Sequence, residues 1–181
     1  MNIDISLIEK CKKNDRQAQE EMYRKLFPYM MGICYRYTLS KDVSKEIVNT
    51  AMYKILTQIN TYNPDYPFKV WISKITVNTI IDEMRKNKKN ASITYVDEYF
   101  DNSSFSEINN ALTKFNANEI LQLIEQLNET EKAVFNMFCI DNYSHEEIAN
   151  ILGISEGTSK WYLNQSRKKL QEMIKKLYFT I

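Results

Sequence analysis

The scarcest residues in this chain constrain it most: 181 residues hold only three glycines and three prolines. Glycine supplies the left-handed and close-approach backbone that tight turns, hairpins and phosphate-cradling loops require. Without it, β-sandwiches and dinucleotide-binding turns are poor solutions. Helices joined by short polar connections need neither glycine nor proline in their interiors. With 44% apolar and 26% charged residues, the chain can still bury a core and is not a disordered polymer. The expected fold is therefore all-α.

Apolar periodicity and capping residues place the helices. Asp4 caps a short helix to about Lys12. Asn14, with Gln17 three residues on, opens a second that runs to about Tyr37, with Pro28 expected to bend or split it. Ser40 or Asp42 caps a third. Its apolar positions Val43, Ile47, Val48, Ala51, Met52, Ile55, Leu56 and Ile59 follow helical spacing. A loop with breakers at Pro64 and Pro67 leads to "FKVWISKITVNTIIDEMRKNKK" (68–89). There Phe68, Trp71, Ile72 and Ile75 form one apolar face, and Val77, Ile80, Ile81 and Met84 a second, roughly opposite. Such a helix is expected to be packed on two sides. Lys74, Asn78 and Arg85 form a polar edge between the faces, and the last turn is basic.

From 90 to 117 the sequence becomes polar, acidic and rich in Asn and Ser, which reads as a flexible linker between two small helical domains, 1–89 and 118–181. The second domain opens with the amphipathic "ANEILQLIEQL". Asn128 with Glu131 caps the next helix, and Ser144 with Glu147 makes a capping box for "HEEIANIL". Gly153 follows where a left-handed residue is wanted, and Ser155 caps a last helix to about Leu177. The spacing of Ile148, Ala149, Leu152, Gly153 and Ile154 is that of a helix-turn-helix.

The last helix carries the strongest functional signal. Leu163, Leu170, Ile174 and Leu177 form an expected buried stripe, with Tyr162 and Met173 at its border. Opposite lie Trp161, Asn164, Gln165, Lys168 and Lys175, with Lys160 and Arg167 at the edge. Amides read adenine edges, aromatic rings meet thymine methyls, and cations hold phosphates, so this face suits the major groove. A solvated face with one stray Trp is the plainer alternative. The net charge of +1 hides an uneven distribution, with six cations against one acid in 157–181 and one cation against eight acids in 118–156. Such local patches, not net charge, mark nucleic-acid binding.

Other chemistries find little support. The only histidine, His145, is expected at the surface near DNA phosphate and has no second His or Cys cluster to form a metal set. No nucleophile elbow or P-loop is present, and Asp82 and Glu83 are adjacent on a helix and point apart, so no catalytic residue, metal or cofactor is expected. Cys11, Cys34 and Cys139 are odd in number and widely spaced, as buried thiols of a reducing cytosol would be. No apolar run approaches ~18 residues, so no membrane insertion is expected, and the N-terminus does not read as a signal peptide.

Taken together, two stretches resemble a known family. "FKVWISKITVNTIIDEMRKNKK" is similar to the "F..WL..IA.N...D..R.." signature of extracytoplasmic function (ECF) sigma factors in the sigma-70 family, through Phe68, Trp71, Ile75, Asn78, Asp82 and Arg85. The C-terminal part resembles that family's "L....R.VF.L....G.S..EIA..L.IS.GTV" through Leu127, Val134, Phe135, Ser144, Glu147, Ile148, Ala149, Leu152, Ile154, Ser155, Gly157 and Thr158. The resemblance implies a cytoplasmic, non-enzymatic factor whose partners are core RNA polymerase, promoter double-stranded DNA, the melted non-template strand and, in some members, an anti-sigma factor. It implies −10 contacts from Tyr66, Phe68, Lys69, Lys74, Asn78, Arg85 and Lys88. It implies −35 contacts from Ser155, Lys160, Trp161, Asn164, Gln165, Arg167 and Lys168, and polymerase contacts from Glu46, Asn49 and Met52. The chain departs from the family at Asn49-Thr50, usually Gln-Glu, at Ser159, usually Val, and at Gln165, often Arg; Trp161 is also unusual. An autonomous helix-turn-helix regulator with a helical dimerisation domain is the alternative, because "LNETEKAVFNMF…SHEEIANILGIS" also resembles response-regulator output domains. A polymerase- or sigma-binding decoy that never touches DNA is a third reading, against which the Trp161–Lys168 face argues.

Overall fold

In a computed structural model, residues 3–88 and 117–179 are described. They fall into two compact units, Met1–Ile93 and Thr94–Ile181. The described residues are helical, with no strand among them. The linker expected at 90–117 lies almost wholly outside the described residues.

The first unit contains α1 (Ile5–Lys12), α2 (Arg16–Thr38), α3 (Lys41–Gln58) with a 3-10 turn (Ile59–Thr61), and α4 (Phe68–Lys88). Helices α2, α3 and α4 pack on one another, and α1 lies against α2 and the 3-10 turn. The packing follows from spacing. Met22, Leu26, Met30 and Ile33 recur every three or four residues along α2, and all are buried. Val48, Ala51, Met52 and Ile55 do the same on α3, and Ile72, Val77, Ile80 and Ile81 on α4. Each fully buried large side chain contributes roughly 1.5–3 kcal/mol relative to exposure.

One expectation is corrected here, and two alternatives are settled in part. The cap of α2 is Asp15, whose carboxylate accepts the Ala18 N–H, while Asn14 sits before it in left-handed backbone at φ 60°. Asn tolerates that region because its short side chain bonds locally. Pro28 does not split α2, which runs unbroken from 16 to 38. Pro28 is exposed, so the carbonyl that loses its intrahelical partner faces water and not a core. Ser40, not Asp42, caps α3 by accepting the Val43 N–H.

The second unit contains α5 (Ala117–Glu125), α6 (Glu129–Phe135) with a π-helical turn (Asn136–Ile140), α7 (His145–Leu152) and α8 (Glu156–Phe179). Helices α5, α6 and α7 all pack on α8. Both expected capping boxes form, at Asn128/Glu131 and Ser144/Glu147. Gly153 takes the left-handed position at φ 70° and closes α7. Ser155 accepts the Thr158 N–H at 3.0 Å and opens α8. The buried stripe of α8 holds Leu163, Leu170 and Ile174 as expected, but also Ser159 and Ser166. Leu177 is not part of it, at 62% exposure.

Cys11 and Cys34 are buried, and burial pushes their thiols up to about 11 and about 12. Cys139 is exposed, against expectation, because the π turn carries it past the core. No described helix is long and apolar enough to cross a membrane.

Candidate nucleic-acid interface

Two surfaces, one in each unit, gather the residues singled out by sequence. In the first unit, α4 is packed on two sides as expected, against α2 and α3. Its buried band is wider than the apolar residues alone, because Thr76 and Thr79 are also fully enclosed. Each threonine returns its hydroxyl hydrogen to its own helix, Thr76 to Ile72 O and Thr79 to Ile75 O, both at 2.8 Å. An alcohol that bonds four residues back passes for an apolar residue, which is why hydropathy alone missed the pair.

The outer edge of α4 exposes Lys69, Lys74, Asn78 and Arg85. Among the described residues no group bonds the Asn78 amide, which leaves its donor and acceptor outward. Lys69 lies over the Tyr29 ring, 4.9 Å from its centroid, and Tyr29 is held in turn by Ser73 at 2.7 Å. Lys88 closes the helix, and its side chain lies outside the described residues.

The loop before α4 is held by aromatics. Tyr62 donates its hydroxyl to Tyr66 O at 2.7 Å, meets Phe68 edge-on at 4.9 Å and Trp71 at 5.4 Å. Phe68 stacks on Trp71 at 5.6 Å. Phe68 is therefore interior, at 9% exposure, while Tyr66 stands out at 65%. An aromatic cluster beneath an outward ring can receive a stacked base.

On α3, Glu46 and Asn49 are exposed, but Met52 is not, at 3%. Six residues beyond Glu46 the helix has turned away, and Met52 joins the core. The exposed ridge continues instead through Thr50 and Tyr53, the latter 71% exposed. Asn49 accepts the Tyr23 hydroxyl at 2.9 Å, so α2 orients it.

In the second unit, the first half of α8 carries Lys160, Trp161, Asn164, Gln165, Arg167 and Lys168 outside its buried stripe. Lys160 and Lys168 are exposed and the other four half-buried. Lys160 has Glu156 at 3.7 Å one turn back. Trp161 leans edge-on against Tyr162 at 4.9 Å, and its indole N–H is enclosed without an acceptor among the described residues. Arg167 lies over the Phe138 ring at 5.7 Å, with Cys139 Sγ 3.8 Å from its Nη2. Ser155 spends its hydroxyl on the helix start, at Thr158.

His145 departs from its expected place on the surface. It is half-buried, stacked on Phe138 at 4.4 Å, with Nδ1 2.8 Å from Ser159 Oγ. Burial, then Lys160 and Arg167, hold its pKa below the usual 6.5. Sequence gave no signal for this contact, because the two residues belong to different helices.

No group of His, Cys, Asp and Glu among the described residues is arranged to hold a metal. Among the described residues one unit presents outward cations, a ring and an amide along α4, and the other a helix-turn-helix. Comparison with known proteins narrows this. The model of sigma-70 region 2 matches residues 22–90, and that of sigma-70 region 4 matches residues 117–170, together well over half of the chain. The chain belongs to the sigma-70 family, among its ECF sigma factors. It is 23% identical to the ECF RNA polymerase sigma-E factor of Escherichia coli K12, covering 96% of this chain and 95% of that one. It is 25% identical to the ECF RNA polymerase sigma factor SigW of Bacillus subtilis, over 94% and 96% of the two chains. Its fold is similar to that of the sigma factor RpoE from Bartonella quintana, solved with the anti-sigma factor NepR. The TM-score there is 0.54 at 16% identity, over 86% of this chain and 98% of the other. It is similar also to CnrH, solved with the cytosolic domain of CnrY, with a TM-score of 0.51 at 15% identity, over 93% and 94%.

Proposed function

We propose that this chain binds core RNA polymerase in the cytoplasm and directs promoter-specific initiation, without catalytic activity of its own. The observation that carries this is the order of matches: region 2 on the first unit and region 4 on the second, over the same span as the ECF relatives. Residues 1–89 form the polymerase-binding and −10 domain, 90–117 the linker, and 118–181 the −35 domain. An autonomous regulator would need a dimerisation domain, and a region 2 match is not a reason to expect one.

The proposed division of labour follows the chemistry. Glu46 and Asn49, with Thr50 and Tyr53, present the polymerase-binding ridge, and Met52 supports it from the core. Around the loop, Tyr66, backed by the Tyr62–Phe68–Trp71 cluster, receives an extruded non-template base, and Asn78 further along α4 offers its amide to the same strand. Extrusion costs a few kcal/mol of stacking, which a preformed pocket offsets. Lys69, Lys74, Arg85 and Lys88 neutralise phosphates. On α8, Trp161, Asn164 and Gln165 meet base edges in the −35 major groove. Lys160, Arg167 and Lys168 hold its backbone, and Ser155 fixes the helix start. An anti-sigma factor is a further proposed partner, by likeness to relatives solved with one.

The test is run-off transcription with sigma-free core polymerase on fragmented host DNA. Discrete transcripts that require the protein, with two shared upstream elements, are expected. Tight DNA binding without polymerase and no transcripts would overturn the proposal in favour of an autonomous regulator.

A further inference from the structure

Ser159 is completely buried in α8, where the family usually places Val. A buried hydroxyl needs a partner. It finds one on another helix, His145 Nδ1 at 2.8 Å. His145 opens α7, and its ring stacks on Phe138 of the π turn at 4.4 Å and 22°. The other end of the same assembly returns to α8, where Arg167 lies over the Phe138 ring. Two rings from outside α8 thus grip it at residues eight apart, about 12 Å along its axis. Lys160, Trp161, Asn164 and Gln165, the candidate base and phosphate contacts, all lie between the two grips.

A Val at 159 would make an apolar contact that tolerates sliding and rotation. A hydrogen bond does not, because it weakens steeply with angle and distance. Base-edge readers must be held within about 0.5 Å of their productive position. We infer that the His145–Ser159 hydrogen bond, backed by Phe138, is a latch that sets the rotation of α8 on α7, and that His145 is a positioning residue for recognition of the upstream promoter element. The inference rests on the reading of α8 as the −35 helix. His145 need not touch DNA to act in this way.

The chain has one histidine, so its imidazole nitrogens give an unambiguous NMR signal in the full-length, nitrogen-15-labelled protein. A single neutral tautomer is expected near neutral pH, lost to averaging in Ser159→Ala. An imidazole spectrum unchanged by Ser159→Ala would overturn the latch, and no DNA is needed to see it. The second measurement uses holoenzyme and two promoters that differ by one base in the upstream element. The ratio of transcripts should fall about fivefold in Ser159→Ala, the scale of one hydrogen bond. His145→Asn places an amide where Nδ1 stood and should keep most of the ratio, whereas His145→Ala should not. Equal losses on both promoters, with the ratio kept, would mark the pair as only structural and overturn positioning. If the unsubstituted holoenzyme ignores the upstream element, the −35 reading itself fails and positioning falls with it, while the imidazole spectrum still reports the bond.

Discussion

The two units solve the same problem, holding polar readers on a helical core, by different means. In the first, the fully buried threonines Thr76 and Thr79 bond back within α4. Polar pairs do cross between its helices, Thr38–Ser44 and Tyr29–Ser73 at 2.7 Å and Lys54–Asp82 at 2.9 Å, but each pair is only part-buried, and apolar side chains fill the core of α2, α3 and α4. In the second unit, buried polar groups cross between helices. Glu131, 2% exposed, caps α6 and receives Lys169 of α8 at 2.6 Å. Ser166 donates to Glu131 O at 3.1 Å, and Ser159 meets His145. Apolar packing tolerates exchange of shape at fixed volume, while a bridging polar group has one partner and one geometry. The first unit should therefore yield gradually to substitution, and the second at single points.

The sharpest contrast is between two lysines. Lys169 leaves a carboxylate that is only 3% exposed, so Lys169→Ala strands a buried charge and should cost about 3 kcal/mol. Lys54 pairs with Asp82 at 2.9 Å, but that carboxylate is 47% exposed. Water replaces the lysine there, and Lys54→Ala should cost under about 1 kcal/mol. Thermal melts of both variants check this. Equal costs would break the contrast between a buried and an exposed polar bridge.

Function should divide along the same line. Asn78 is outward and unbonded among the described residues, so Asn78→Ala should leave folding and polymerase binding intact. Open-complex formation, followed by permanganate reactivity of unpaired thymines, should fall about tenfold if the amide holds the strand that carries the extruded base. Unchanged reactivity would remove Asn78 from the contacts to that strand. In the other unit, Gln165→Ala or Trp161→Ala should relax preference at one −35 position by about fivefold, the lower end of a base-specific contact. A uniform loss across all −35 sequences would instead make them positioning contacts.

What the sequence disclosed is what repeats along one helix. The stripe Ile47–Val48–Ala51–Ile55 and the Ser144–Glu147 capping box are local patterns, and both are present. The outward edge Lys74–Asn78–Arg85 was legible for the same reason. Contacts between helices leave no such period. Thr76, Thr79 and Ser166 look solvent-facing by residue type, and only their partners make them core, whereas Ser159 stands at a core position by the family resemblance. Met52 follows the apolar spacing of α3 and is buried with it, so the polymerase contact that the family resemblance implies there is not on the surface. His145 read as a surface residue because nothing nearby in sequence explains a buried imidazole.

The smallest expected effect is also the most selective, because only one side chain of its type exists. The His145 ring faces Ser159, Lys160, Arg167 and Glu156 of α8 and Phe138 of the π turn. Burial, the largest cause, and the two cations hold its pKa below 6.5, while Glu156 pulls weakly the other way. The folded chain thus binds a proton less readily than the unfolded one. Linkage then gives the sign: stability is fully present above pH 6.5 and is lost as pH falls below it toward the lowered folded value. The melting temperature of the second unit should therefore drop slightly between pH 7 and pH 5, and His145→Asn, which cannot take up a proton there, should flatten that part of the profile. The first unit has no histidine and should not respond over this window. A drop of equal size in both units would assign the effect to carboxylates and not to the latch; a rise in the second unit on acidification would mean that the imidazole is favoured as a cation, held by Glu156 and not by Ser159.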